Sequence, residues 1–151
     1  MCDNKIKFIE FKPKHAYQMD WKDKDEFYGI IREQPQYFYS LAASDNALTA
    51  VRDGVILGIL TTVPLNARSC GFYLNMSNNA VEEFDKDICN LMKSCIKNLT
   101  YEYARIVTEA KESNEKLLKL TKYLGFVKEG VMRKYGHNGE DYALYAIARE
   151  D

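Results

Sequence analysis

The chain has 151 residues, with 21 lysines and arginines against 22 aspartates and glutamates and a net charge of −1. That length can bury one core, and that balance gives no overall electrostatic pull toward nucleic acid. No apolar run approaches the ~20 residues that span a bilayer, and the charged first residues lack a signal-peptide core, so the expectation is a cytoplasmic chain without membrane contact. Cys2, Cys70, Cys89 and Cys95 show no CxxC spacing and stand apart in sequence from His15 and His137, which argues for reduced thiols and against a metal site. Cys89 and Cys95 read as small apolar residues on the buried face of a helix.

In chain order, Ile6 to Phe11 suggests a first strand, broken by Pro13. Ala16, Met19, Trp21 and Phe27-Tyr28, mixed with acids and lysines, predict one or two short helices, with Trp21 in the core. Tyr37, Phe38, Tyr39 and Leu41 follow Gln34-Pro35 as an aromatic cluster on a further short helix. Leu48–Arg52 and Val55–Val63 flank Asp53-Gly54, a two-residue hairpin signal. Gly58, inside the second run, marks a bulge or a close backbone approach, and Pro64 ends the strand. Cys70–Met76 reads as another strand. Val81, Phe84, Ile88, Leu91, Met92, Cys95 and Leu99 then keep helical spacing over five turns, with Asn79 and Glu82 as a reciprocal cap.

A strand at Ala104–Ala110 leads into the best-defined stretch. Leu117, Leu118, Leu120 and Leu124 make an amphipathic helix that Ser113 can cap and that Gly125 stops in a left-handed turn. Phe126 opens a run that meets Tyr142–Arg149 across Asn138-Gly139, a second hairpin signal. This order predicts one domain over residues 1–151, with a mixed sheet and helices on both faces. There is no Gly-rich nucleotide fingerprint and no GxSxG elbow.

The order of elements and the residues Asn114, Leu124-Gly125-Phe126, Glu129-Gly130, Arg133, Gly139, Asp141 and Tyr145 resemble the GNAT superfamily of acetyl-CoA-dependent N-acetyltransferases. The Asp53-Gly54 hairpin with Gly58 resembles that family's second and third strands. The likeness covers roughly residues 45 to 149 and implies an α/β, GNAT-like acyl-CoA N-acyltransferase fold. The short form is also similar to GNAT-like proteins of tailed bacteriophages, some of which are virion components.

The resemblance implies acetyl-CoA as cofactor and a primary amine, on a small molecule or a protein, as acceptor. It places the coenzyme along Leu74, Asn75, Met76, Ser77, Asn78 and Asn79, with Asn114 on the pantetheine arm. Around Tyr73 to Asn75 it expects a backbone N–H on the thioester carbonyl, and at Glu109 a base for the incoming amine. Each has a plainer reading. Asn114 can simply start its helix, Glu109 can be a salt-bridged surface acid, and Tyr37, Phe38 and Tyr39 can cover the core instead of lining an acceptor groove. His137 has the intrinsic pKa of a base but sits in a turn, where exposure is the expected outcome.

Two departures from the family pattern stand out. The stretch from Ser77 to Asp85 contains no Gly and no Arg, and Glu82, Glu83 and Asp85 stabilise a helix start by ~0.3–1 kcal/mol each while repelling a pyrophosphate. The family's tyrosine acid is replaced by Thr121, and Tyr123 points about 200° away on the helix and is expected to pack. The leading expectation is acetyl transfer by direct amine attack. The alternative is a catalytically silent GNAT-fold protein, such as a phage structural or host-interaction protein, with a protein partner. Nucleic-acid binding is not expected, for want of a basic patch.

Overall fold

The structure is a computed structural model in which residues 6–78 and 86–150 are described. The elements follow as β1 (Lys7–Glu10), α1 (Pro13–Gln18), α2 (Lys24–Glu33), α3 (Tyr37–Ala43), β2 (Ala47–Arg52), β3 (Val55–Pro64), β4 (Ser69–Met76), α4 (Lys86–Glu102), β5 (Arg105–Lys111), α5 (Glu115–Tyr123), β6 (Val127–Met132) and β7 (Tyr142–Ala148). The strands order as β1-β2-β3-β4-β5-β7-β6; β1–β2, β2–β3, β5–β7 and β7–β6 pair antiparallel, and β4–β5 pairs parallel. Two compact units interleave along the chain: Met1–Thr62 with Leu74–Ile88, and Val63–Tyr73 with Cys89–Asp151.

In the first unit, β1, β2 and β3 form an antiparallel ladder. Asp53 and Gly54 both take positive φ, 50° and 78°, so the Asp-Gly signal produces the expected two-residue hairpin. Ala50 pairs with Gly58 and Val51 with Ile56, which leaves Leu57 as an extra residue in β3. Beside this bulge Gly58 admits close neighbours. A Cβ there would meet the Asn75 carbonyl at 3.0 Å.

The core of this unit is aromatic. Phe11, Trp21 and Phe38 are almost fully buried, together with Ala16, Met19, Leu41, Ala47 and Ile59. Trp21 is the core plug expected of it, its indole N–H donating to the Ala16 carbonyl at 2.7 Å. Phe27 stacks on Phe38 with centroids 6.0 Å apart and tilts against Trp21 at 5.1 Å. Such contacts add about 0.5–1.5 kcal/mol per pair beyond area burial. Pro13 does more than break β1, because it occupies the first turn of α1, where its missing N–H costs nothing. At that start the buried His15 Nδ1 accepts the Lys12 N–H at 3.1 Å and meets the Thr49 hydroxyl at 2.8 Å.

The second unit is built on β5, which pairs with β7 along its whole length, and on β6, which pairs with the other edge of β7. Between Lys128 and Gly130 the β6 register slips by one, so Glu129 is the extra residue of a bulge. Its carboxylate takes both guanidinium arms of Arg105. Of the face expected for α4, Ile88 and Met92 are buried, together with Cys89 and Ile96, while Leu91, Cys95 and Leu99 are half-buried and Val81 and Phe84 lie outside the described residues.

The terminal hairpin differs from expectation. β6 ends at Met132 and β7 begins at Tyr142, and Gly139 has positive φ (80°) but Asn138 does not. Asn138-Gly139 is therefore not a two-residue turn. It lies in a longer loop that side chains organise: the Asp141 carboxylate accepts the Lys134 N–H at 3.0 Å, and Glu140 accepts the Asn138 N–H at 2.8 Å. Lys134, at φ 58°, supplies the left-handed residue the signal assigned elsewhere.

Candidate functional site

The parallel ladder between β4 and β5 has three register pairs: Ser69 with Arg105, Cys70 with Ile106 and Gly71 with Val107. Both strands continue past it, β4 to Met76 and β5 to Lys111. From Thr108 onward β5 keeps its β7 partners and pairs with β4 no longer. Tyr73 and Glu109 each lie two residues beyond the last pair, on equivalent positions of the two strands, and both are half-buried. In strands that alternate faces, these positions share the side occupied by Gly71 and Val107. The Tyr73 ring folds back across Gly71, where a Cβ would lie 2.6 Å from the phenol oxygen. Glycine at 71 is thus the space that Tyr73 occupies. Phe72, on the opposite side, stacks on Phe126 at 6.4 Å.

α5 begins at Asn114, whose side-chain oxygen accepts the Leu117 N–H at 3.2 Å. The cap is Asn114 and not Ser113, one residue later than the sequence suggested. Because Oδ1 makes the cap, Nδ2 remains as a donor for a second partner. At the far end, Phe126 N–H bonds to the Thr121 carbonyl and Gly125 N–H to the Lys122 carbonyl, with Gly125 at φ 104°. This is the paired-bond stop that a Leu-Gly-Phe corner encodes. The Thr121 hydroxyl is buried and donates to the Leu117 carbonyl at 2.7 Å, so its proton is committed to the helix. Tyr123 is exposed, and the Lys93 ammonium sits 3.9 Å over its ring.

In the first unit, the end of β4 is strapped to the connector between α1 and α2. Lys22 N–H donates to the Met76 carbonyl and Asn78 N–H to the Asp20 carbonyl, both at 2.9 Å. The Asn78 side chain reaches the Trp21 carbonyl, and Trp21 bridges Ser77. Ser77 is fully buried, and its N–H donates at 2.9 Å to the carbonyl of Leu57, the bulged residue of β3. Among the residues expected to hold the coenzyme, Leu74, Asn75 and Met76 line the strand opposite Gly58, while the amides of Ser77 and Asn78 are engaged by protein carbonyls. Asn79, its partner Glu82, and the acids Glu83 and Asp85 lie outside the described residues. No sequence signal announced this strap, because its bonds join segments twenty to nearly sixty residues apart.

The remaining candidates are quickly placed. His137 is exposed in the terminal loop, and Tyr37 is half-buried with its phenol pKa raised by burial and by Glu26. Burial pushes the Cys70 thiol up to about 11, with a smaller contribution from Glu102, which makes it a packing residue and not a nucleophile. Among the described residues there is no group of three or more His, Cys, Asp or Glu side chains able to hold a metal, and no helix long and apolar enough to cross a membrane.

No protein-family model matches this sequence, and no curated protein matches it. Solved structures do match in shape. A GNAT-family acetyltransferase from Bacillus anthracis superposes with a TM-score of 0.70 at 12% identity, covering 100% of this chain and 98% of its own. Ard1 from Thermoplasma volcanium gives 0.68 at 12% identity, with 97% and 99% covered. The microcin C7 self-immunity acetyltransferase, solved in complex with acetyl-CoA and AMP, gives 0.70 at 14% identity, with 97% and 93% covered. At such identities the likeness concerns architecture. The chain has the α/β GNAT acyl-CoA N-acyltransferase fold.

Proposed function

We propose that this chain is an acetyl-CoA-dependent N-acetyltransferase acting on a primary amine. The observation that carries the reading is the end of the β4–β5 ladder at Gly71 and Val107. Strands that part within a sheet open an edge between them, a slot suited to an extended amide-bearing ligand. The pantetheine arm of acetyl-CoA is such a ligand, and the group supplies an activated acyl thioester.

In this reading the β4 backbone at Tyr73 polarises the acyl carbonyl, and the same strand runs on through Leu74, Asn75 and Met76. Asn114 holds the arm through Nδ2 while Oδ1 caps α5. Glu109 takes a proton from the incoming ammonium, directly or through water, and so frees the amine lone pair that attacks the acyl carbon. Thr121 gives the departing sulfur no proton, because its hydroxyl is bonded to Leu117, so the sulfur leaves as the thiolate and the chain contributes orientation, polarisation and the Glu109 base. Of the predicted diphosphate contacts Ser77, Asn78 and Asn79, the first two have their amides engaged, so the diphosphate adds little to affinity. Cys70, Cys89 and Cys95 are free thiols, in keeping with a cytoplasmic setting.

Those engaged amides favour a second reading, a GNAT-fold binding protein without catalysis, of which a phage structural or host-interaction protein is one form. Calorimetry with acetyl-CoA at low and moderate salt, followed by a thiol-release assay over a panel of amines, separates the two. The acetyltransferase reading expects micromolar binding, amine-dependent release, and a turnover about 10²-fold lower in Glu109→Gln. No binding up to millimolar acetyl-CoA overturns it in favour of the second.

A further inference from the structure

A near-zero total charge conceals an uneven distribution. The first unit carries nine Lys and Arg against thirteen Asp and Glu, and the second carries twelve against nine. In the second unit, part of this excess is gathered on one surface. Along α4, Lys93, Lys97 and Tyr101 follow at i, i+4 and i+8; along α5, Lys116, Lys119 and Tyr123 follow at i, i+3 and i+7. Each trio therefore lies on one helix stripe. The Lys93 ammonium, 3.9 Å over the Tyr123 ring, joins the two stripes at that pair.

All four lysines are exposed, and Tyr101 and Tyr123 are 74% and 60% exposed. Among the described residues none of the four lysines is in an ion pair, whereas Lys111 and Lys128 of the same unit are held by Glu140 and Glu112. Two stripes of ammonium groups outside any ion pair, one ending on the open Tyr101 ring and the other on Tyr123, which stays 60% exposed although Lys93 covers part of its ring, combine the two things a single nucleic-acid strand needs: cations for its phosphates and flat faces on which bases stack. An anionic bilayer asks for apolar side chains that insert, and the stripes offer none.

We infer that the paired α4–α5 stripe, Lys93, Lys97, Tyr101, Lys116, Lys119 and Tyr123, is a docking surface for a single-stranded nucleic acid, read through its backbone and without base specificity. This goes beyond acetyl transfer and does not depend on it. The sequence-based expectation against nucleic acid rested on total charge and on the lack of a basic patch along the sequence, neither of which records lysines spaced along one face of a helix.

The test is fluorescence anisotropy of the full chain with a labelled 20-nucleotide oligo-dT or oligo-U. Binding through four phosphates weakens about 50-fold between 50 and 200 mM salt. Lys97→Glu with Lys119→Glu abolishes it, and Tyr101→Ala weakens it about 10-fold, while Lys24→Glu in the first unit leaves it unchanged. Circular dichroism of each surface variant checks that it remains folded. No binding at 50 mM salt, equal weakening by Lys24→Glu, or binding to phosphatidylserine vesicles without binding to the oligonucleotide overturns the inference. Displacement of the oligonucleotide by excess acetyl-CoA overturns it too and would assign these lysines to the coenzyme, whereas loss of acetyl transfer alone would not touch it.

Discussion

His15 couples a helix start to proton concentration. Its Nδ1 accepts the Lys12 N–H at 3.1 Å, so the Thr49 hydroxyl, 2.8 Å away, donates to the same nitrogen and the ring proton sits on Nε2. Protonating Nδ1 would set a donor against the Lys12 N–H, although the Thr49 hydroxyl can turn to accept. Burial, then Lys14 and Lys12, hold the imidazole below its ordinary 6.5. The unfolded chain therefore takes up a proton near that pH while the folded chain does not. Stability is flat above about 6.5 and falls as the pH drops from there toward the folded value. His15→Gln keeps an acceptor at a position where Gln favours capping and removes the titration. Urea midpoints at pH 7.5 and 5.5 should differ for the wild type and coincide for His15→Gln; parallel losses would end this account. Glu129, held below its usual carboxylate value by the Arg105 hydrogen bond, acts in the same direction but only below about 4.5. Glu129→Gln should therefore leave the interval from 5.5 to 7.5 unaltered.

At the level of elements, α5 shows what local sequence can and cannot reveal. Its stop is legible because the Leu-Gly-Phe corner is complete within six residues: Gly125 takes the left-handed turn, and both closing bonds lie within the helix's last turn. Its start is displaced by one residue because Ser113 and Asn114 are both good caps, and only the three-dimensional path selects Asn114. The Asn138-Gly139 signal failed for a related reason. Glu140 and Asp141 bond the loop's amides and draw the turn away from the dipeptide. Asn114 also allows two roles to be separated. Asn114→Ala should cost about 1 kcal/mol by removing the cap. Asn114→Asp keeps a capping oxygen, and a charge the helix start favours, but loses the Nδ2 donor. The proposed coenzyme contact thus predicts wild-type stability and acetyl-CoA affinity about 10-fold weaker in Asn114→Asp. Unchanged affinity would reduce Asn114 to a cap.

For the molecule as a whole, the succession of strands and helices was readable because periodicity and turn chemistry are local properties. Where β4 parts from β5, and which carbonyls engage Ser77 and Asn78, were not, since those facts depend on residues far apart in the chain. They nevertheless decide how a ligand would stabilise the fold. A ligand that binds only the folded chain adds about 2.7 kcal/mol at a hundred times its Kd, which for this length raises Tm by roughly 5–10 °C. If affinity resides in the acyl-pantetheine arm, S-acetylpantetheine and acetyl-CoA at the same millimolar concentration should raise Tm by similar amounts. A much larger shift with acetyl-CoA would mean that the Ser77 and Asn78 amides leave Leu57 and Asp20 to take the diphosphate, so the strap opens on binding. In that event Asn78→Ala, which removes the bond to the Trp21 carbonyl, should bind acetyl-CoA more tightly than the wild type although the free protein is less stable. No shift with either thioester would leave the parted strands without a coenzyme to hold.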